Sequence, residues 1–346
     1  MTKIKNILKL QNKQIEDLKR YEAYLFPGVY RCFCIDNSRF IWRRCERFSD
    51  YFRYTDSKKG LTIKKRIMAF LIGKTRKIKD KTNKSCGTSL YVSRKGNIKV
   101  FSNDMKHVFY FVSDNDLFNK AVHYKKYYAR FFGRSIIESV DSSCKRINER
   151  YISENYNWRK SEREVHNAGC WIMKKSVEYL NSVNKDIKLR IFSDFADEVK
   201  SRTHIAELER FLDVLSNSFE IENYSIPFVY QHNDVVLSNI LKENDEYTLF
   251  DYEFYGENIF YYDSLMWIVW EAVHYSHDIY LHEFLSGKFD KYFEQMFLSV
   301  GMKYNTDRRI DYVLMFIIAN INIHQLTGDS TNIQDYKRVV SMMLNE

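Results

Sequence analysis

The sequence is poor in residues that break or staple a chain. Proline occurs twice in 346 residues, at Pro27 and Pro227, which argues against a long proline-rich linker and for a largely helical body. The six cysteines are scattered, only Cys32 and Cys34 stand close together, and no CxxC occurs. That pattern does not read as a disulfide framework, and reduced thiols in a cytoplasmic protein are expected. The longest apolar stretches, such as residues 313–319, fall far short of the roughly 20 residues of a membrane span. The start, "MTKIKNILKLQNKQIEDLKR", never settles into a continuous apolar core, so no secretory signal is expected. A GxGxxG phosphate loop is missing as well.

What is abundant is positive charge, unevenly placed. The net charge is +9, and residues 53–84 hold twelve Lys or Arg against two acids, Asp56 and Asp80. At the centre of this stretch, "LTIKKRIMAFLIGKTRKIKDKTNK", Ile63, Ile67, Phe70 and Leu71 share a helical face that Gly73 would end. Two readings stand side by side. One is a helix packed on the body with a solvated basic side; the other is contact with an anionic membrane surface or a negatively charged substrate. Nucleic acid is disfavoured as a partner, because no recognised binding motif accompanies the charge.

Along the chain, Ile4, Leu8, Ile15, Leu18 and Leu25 recur at near-heptad spacing, an amphipathic helix, while residues 28–55 are aromatic and basic and give no assignable pattern. After Lys84 the texture changes. "GTSLYVS", "GNIKVFSND" and "HVFYFVSD" are short, rich in β-branched and aromatic residues, and divided by turn signals, an antiparallel meander of three strands. "DLFNKAVHYKKYYARFFG" reads as a helix running from an Asp N-cap, Asp114 or Asp116, to Gly133, and "RSIIESV" and "INERYIS" as two further strands. From Trp158 the pattern is mainly helical, with a buried stripe at Ile205, Leu208, Phe211, Leu212 and Leu215, then short strands at "FVYQ" and "YTLF" around a polar stretch. Two apolar helices follow, near 265–274 and 312–325. The class is α+β. The expected division is a basic helical N-terminal extension (1–86), a small β-rich lobe (87–155) and a larger mainly helical lobe (156–346).

The polar stretch is "QHNDVVLSNILKENDEYTLFDYEFYG", residues 231–256. Phosphoryl transfer asks a protein for a carboxylate that orients the attacking hydroxyl and for oxygen ligands that hold Mg²⁺ on nucleotide phosphates. Kinase-type sites place these on a loop of the form His-x-Asp-x-x-x-x-Asn, followed one strand later by Asp. His232, Asp234 and Asn239 have that spacing, and Asp251 ends the apolar segment "YTLF". In such a loop Asp234 faces the acceptor, Asn239 returns its amide oxygen to the metal, and Asp251 meets the same ion. His232 braces the backbone in support.

Together with "LFDYEFYGENIFYYDSLMWI", the loop resembles the aminoglycoside phosphotransferase and choline kinase branch of the protein-kinase-like fold, closest in flavour to phosphotransferases associated with bacterial surface-polysaccharide biosynthesis. That branch commonly reads His-Gly-Asp, where this chain has Asn233 in the middle. The specific likeness covers residues 228–270. It implies a two-lobed fold with a small antiparallel-sheet N-lobe, ATP and Mg²⁺ as cofactors, and a small-molecule or glycan acceptor. Asp234 becomes the catalytic carboxylate, Asn239 and Asp251 the metal ligands and Glu253 an assistant at the metal, while Asp263 holds the loop through backbone amides.

The small lobe departs from the pattern. Tyr110 stands where the third strand would carry a phosphate-pairing Lys, and the following helix has no Glu to hold one. Lys99, one strand away, is the nearest substitute. "SCGTSLYVS" offers Gly87 with Thr88 and Ser89 as a cover for phosphates through backbone N–H groups. These departures keep a second class in view, a non-catalytic pseudokinase scaffold that binds nucleotide, a membrane surface or a partner. A protein kinase is disfavoured, since no Ala-Pro-Glu follows Asp251.

Overall fold

The computed structural model describes residues 15–34 (except 17), 40–45, 75–92, 97–133, 135–152, 156–183, 187–202, 209–212, 215, 224–327 and 333–344. The chain divides into two compact units, one of residues 1–119 and 136–153, the other of residues 120–135 and 154–346.

In the first unit the strands β1 (Gly28–Cys34), β2 (Phe40–Arg44), β3 (Thr75–Ile78), β4 (Ser89–Val92), β5 (Ile98–Phe101), β6 (His107–Phe111), β7 (Ile137–Asp141) and β8 (Arg146–Arg150) form one antiparallel sheet in the order β3-β1-β2-β4-β5-β6-β8-β7. Period-two alternation builds it: Tyr30, Trp42, Leu90 and Val100 are fully buried on one face, and Ile41 and Cys45 pack with Tyr91 and Phe101 in a second cluster. The turn between β5 and β6 is fixed by Asp104 Oδ1, which accepts from Ser102 Oγ at 2.6 Å and from the Lys106 N–H at 3.1 Å. The meander and the two later strands thus stand where the sequence places them.

The expected helical extension over 1–86 is corrected in its described part. Residues 18–21 are helical, with Leu18 and Leu25 fully buried, but β1, β2 and β3 join the sheet of the first unit. Their alternation is real, since Tyr30 and Cys32 point into the core. It is hard to see in sequence because Arg31 and Arg43 fill intervening positions and Arg44 takes one in phase with Trp42. The helix expected over Ile63, Ile67, Phe70 and Leu71 lies outside the described residues.

Helix α1 (Asn115–His123) begins at Asp114, whose Oδ1 accepts the Asp116 N–H at 2.8 Å. Its chain continues through a π-helical turn, Tyr124–Tyr128, and a 3₁₀ turn, Ala129–Phe131. The second unit then runs α2 (Glu162–Val183), β9 (Lys188–Ile191), α3 (Phe192–Arg202), β10 (Ser225–Gln231), β11 (Ile240–Glu243), β12 (Glu246–Leu249), β13 (Gly256–Ile259), α4 (Tyr262–Tyr275), α5 (Ile279–Leu285), α6 (Asp290–Ser299), α7 (Arg309–Thr327) and α8 (Ile333–Leu344). Strands β13, β10 and β9 make one small sheet, and β11 and β12 a separate hairpin. Its turn residues, Asn244 and Asp245, both have positive φ. "FVYQ" and "YTLF" are both strands, but they pair with different neighbours. The core centres on α4 and α7, where Trp267, Leu265, Val313 and Phe316 are fully enclosed. Among the described residues no helix is long and apolar enough to cross a membrane.

Candidate active site

The polar stretch leaves β10 at Gln231 and turns at once. Asn233 adopts φ of 66°, a left-handed conformation open to Gly and tolerated by Asn. This is the physical reason an Asn stands where the resemblance expects a Gly. Its side chain then works in two directions: Nδ2 donates to the carbonyls of Phe254 at 3.0 Å and Gly256 at 3.2 Å, and Oδ1 accepts from Asn258 Nδ2 at 2.8 Å. The loop that carries Asp234 is thereby tied to the segment that follows Asp251.

Asp263 supplies the second anchor. Its Oδ2 accepts the His232 N–H at 2.7 Å and its Oδ1 the Asn233 N–H at 2.9 Å, while Tyr128 Oη donates to Oδ2. The carboxyl is fully enclosed. Burial raises its pKa to about 6, against the pull of these three donors. The loop-holding role expected for Asp263 is what these bonds perform. His232 is also fully buried, its ring edge-on to Tyr124 at 5.7 Å. Among the described residues neither ring nitrogen has a hydrogen-bond partner. Burial lowers its pKa to about 4; the Phe250 carbonyl acts the other way but lies outside hydrogen-bond geometry. The ring is enclosed in aromatic packing with Tyr124 and Tyr128.

Around Asp234 the groups converge. Asn239 ends a 3₁₀ turn, Leu237–Asn239, and its Nδ2 donates to Asp234 Oδ2 at 2.7 Å and to the Asp234 carbonyl at 3.0 Å. With the amide nitrogen so engaged, Oδ1 is the end left to ligate a cation. The hairpin β11–β12 then returns the chain, and Asp251 takes a left-handed φ of 65° and ψ of 61° at the head of the turn Tyr252–Phe254, which contains Glu253. Asp234 remains partly open to solvent. Its pKa is pushed up to about 7, first by enclosure of its carboxyl, then by Asp251, with Asp263 and Glu253 adding and the Asn239 amide opposing. Repulsion among these carboxylates is what a divalent cation would relieve. Among the described residues no group of three or more His, Cys, Asp or Glu is arranged to hold a metal alone. That is compatible with Mg²⁺, which takes one or two carboxylates from a protein and completes its shell with phosphates and water.

Asp234, Asn239, Asp251, Glu253 and His232 therefore stand together in the second unit. Lys99, Thr88 and Ser89 belong to the first. Lys99 lies on β5 with Nζ over the Tyr110 ring, 4.7 Å from its centre. Cross-strand pairing of Lys99 with Tyr110 puts the two on the same sheet face. The phosphate cover expected at Gly87, Thr88 and Ser89 is corrected. The Gly87 N–H donates to Tyr24 O at 3.2 Å and the Thr88 N–H to Phe101 O at 2.9 Å, and Ser89 is buried as the first residue of β4. The Gly87 amide is engaged by the turn at Tyr24 and the Thr88 amide by β5.

The aromatic residues weighed as stacking faces separate clearly. Trp267 is fully buried and lies so close to α2 that a Cβ on Gly169 would stand 2.3 Å from its ring; it is core. Trp270 is half-buried against His274, and Tyr275 is 56% exposed. Both line a cavity of about 110 Å³ with Val236, Leu237 and Ser238 of the loop. A neighbouring cavity of about 520 Å³ shares Glu271 and adds His277, Asp278 and Tyr280. Sequence reading missed the double role of Asn233 and the tyrosines at 124 and 128 behind the loop. The only signal for the first was an Asn in a position that demands positive φ.

No family model matches the sequence, and no curated protein matches it. Among solved structures the chain is similar to a choline/ethanolamine kinase family protein from Mesorhizobium loti, at 14% identity over 72% of this chain and 84% of that one, with a TM-score of 0.41. It is also similar to the aminoglycoside phosphotransferase APH(3'')-Id from Streptomyces rimosus, at 13% identity over 66% and 91% of the two chains (TM-score 0.34). A third likeness is to APH(2")-IIa in its gentamicin complex, at 12% identity over 69% and 90% (TM-score 0.35). In its loop pattern and the order of its elements, the chain resembles the aminoglycoside phosphotransferase and choline kinase family.

Proposed function

We propose that the protein is an ATP- and Mg²⁺-dependent phosphotransferase acting on a hydroxyl of a small molecule or glycan. The observation that carries this reading is the state of Asp234: partly open, bonded to Asn239, and raised to about 7 by enclosure and by Asp251. A carboxylate poised near neutrality can orient an attacking hydroxyl and accept its proton. Asn239 Oδ1 and Asp251, helped by Glu253, are suited to hold Mg²⁺, which when bound would neutralise phosphate charge. Lys99 is the candidate partner of the nucleotide phosphates. The groove beside Val236–Ser238, with Trp270 and Tyr275 as apolar faces and Glu271 and His277 as hydrogen-bonding groups, suits a polyhydroxylated acceptor. A role in surface-polysaccharide biosynthesis and a cytoplasmic location, with peripheral contact between the basic stretch 53–84 and an anionic membrane, complete the proposal.

The test is thermal stability with and without Mg·ATP, on wild type and on Asp251→Asn, which keeps the left-handed backbone. A ligand that binds only the folded state adds about 2.7 kcal/mol at a hundredfold excess over Kd. A metal-dependent shift in the wild type that Asp251→Asn abolishes supports the nucleotide site. No shift with ATP or GTP, with or without metal, sinks the enzymatic reading and leaves the scaffold reading in its place.

A further inference from the structure

The turn that carries Asn239 is gripped by a residue outside the motif. Arg159 Nη2 donates to the carbonyl of Ser238 at 3.2 Å and to the carbonyl of Ile240 at 3.0 Å. Those two carbonyls flank Asn239 on either side. A charged donor bonding neutral carbonyls makes a stronger contact than an amide would, and one nitrogen reaching both oxygens fixes the curvature of the turn between them.

Arg159 is itself held firmly. It sits in the 3₁₀ turn Tyr156–Lys160 just before α2, with its guanidinium 5.4 Å over the Trp158 ring. Trp158 packs edge-on against Tyr247 of β12 at 5.6 Å. Four residues past the turn, in the first turn of α2, Glu164 accepts from Lys242 Nζ at 2.6 Å and from Tyr247 Oη at 3.2 Å. The start of α2 is therefore fastened to the same hairpin whose first strand begins at Ile240. Lys242 and Tyr247 hold the platform, and Arg159 reaches from it to the turn.

On the far side, Asn239 is fastened by its own groups. Its N–H donates to Val236 O at 2.9 Å, its carbonyl accepts the Phe250 N–H at 3.1 Å, and its amide nitrogen is on Asp234. With the side-chain nitrogen committed, the direction of Oδ1 follows from the position of the backbone at 238–240.

We propose that Arg159 is a positioning residue for the metal site: by clamping the Ser238 and Ile240 carbonyls it aims Asn239 Oδ1 at the cation. This rests on the phosphotransferase reading, since it gives Asn239 a metal to face. Arg159 touches no reacting atom. It also lines the two cavities beside the loop, so the clamp stands between the groove and the metal turn.

The test uses the full chain and the variants Arg159→Gln and Arg159→Lys, with Mn²⁺ as the metal probe. Two readouts are taken: the apparent Mn²⁺ affinity at fixed ATP, from thermal shift, and amide hydrogen exchange over residues 236–250 without ligand. Loss of a supporting contact behind a ligand typically weakens metal binding roughly ten- to a hundredfold. Arg159→Gln is expected to weaken Mn²⁺ by that factor, to leave ATP binding without metal unchanged, and to speed exchange in the loop. Arg159→Lys keeps a charged donor and recovers part of the affinity. A normal wild-type metal response that Arg159→Gln leaves intact overturns the proposal alone, as does an equal loss of ATP binding with and without metal. Absence of any metal response in the wild type overturns the phosphotransferase reading and the aim of the clamp with it, while faster exchange in Arg159→Gln would still separate that failure from an absent clamp.

Discussion

Asn239 is bonded to Asp234 twice, through the carboxylate Oδ2 at 2.7 Å and through the backbone carbonyl at 3.0 Å. The amide is the group that holds the Asp234 pKa down, and Asp251 is the charge that pushes it up beyond what enclosure does.

Opposite signs follow from removing each. Asn239→Ala should move the Asp234 titration above its present value of about 7. Asp251→Asn should move it below. A carboxyl ¹³C NMR titration reads both, and shifts in the same direction would contradict the arrangement.

Stability should carry the same signature. Asp234 and Asp263 have folded-state pKa values of about 7 and about 6 against an ordinary 3.8. The native state therefore binds more protons than the unfolded chain between those values, and their contribution is fully present below about 4 and lost as pH rises through 6 and 7. His232 has the reverse effect over a lower window, since its folded pKa is depressed to about 4 and its contribution is lost as pH falls from about 6.5. The difference between wild type and Asp234→Asn in urea unfolding isolates the first term. That difference should favour wild type more at pH 5 than at pH 8, and a flat difference would rule out the raised pKa.

Position 233 separates backbone from side chain. Both Asn233→Gly and Asn233→Ala lose the bonds to Phe254, Gly256 and Asn258. Only the alanine also meets the left-handed penalty at φ of 66°. The alanine variant should be less stable than the glycine variant by about 1–2 kcal/mol in denaturant unfolding. Equal stability would show that the turn relaxes out of its left-handed form.

The basic stretch makes a prediction of a different kind. Replacing Lys64, Lys65 and Arg66 by Gln should weaken binding to phosphatidylserine-containing vesicles by about a hundredfold, at about 1 kcal/mol per charge near the surface. Vesicle sedimentation measures it. A wild type that stays in the supernatant, or variants that bind as well as wild type, would remove the membrane contact.

How much of this could be read from sequence depends on where each residue's constraint comes from. His232, Asp234, Asn239 and Asp251 were legible because their spacing is set locally, by one tight loop and one short hairpin. Helices α4 and α7 were legible because long apolar segments have few alternatives. Strands β1 and β2 were not, because the adjacent Arg43 and Arg44, the second in phase with Trp42, interrupt the period-two pattern that Tyr30, Cys32 and Trp42 carry. The engaged amides of Gly87 and Thr88 depend on Tyr24 and Phe101, partners whose register no local pattern reveals. Arg159 escaped notice for the same reason: it lies 79 residues from Ser238 in sequence.

The left-handed backbone at Asp251 has a consequence for how this position can change. Gly and Asn satisfy its geometry but bring no negative charge, and Glu brings charge but fits the conformation poorly. Asp alone meets both demands. On the phosphotransferase reading two independent demands then meet on one residue, and with the charge demand lifted the backbone would still favour Gly, Asn and Asp over other residues. On that reading the presence of Asp251 reflects shape as much as chemistry, and Asp234, whose backbone is not left-handed, is the more sensitive gauge of the chemistry.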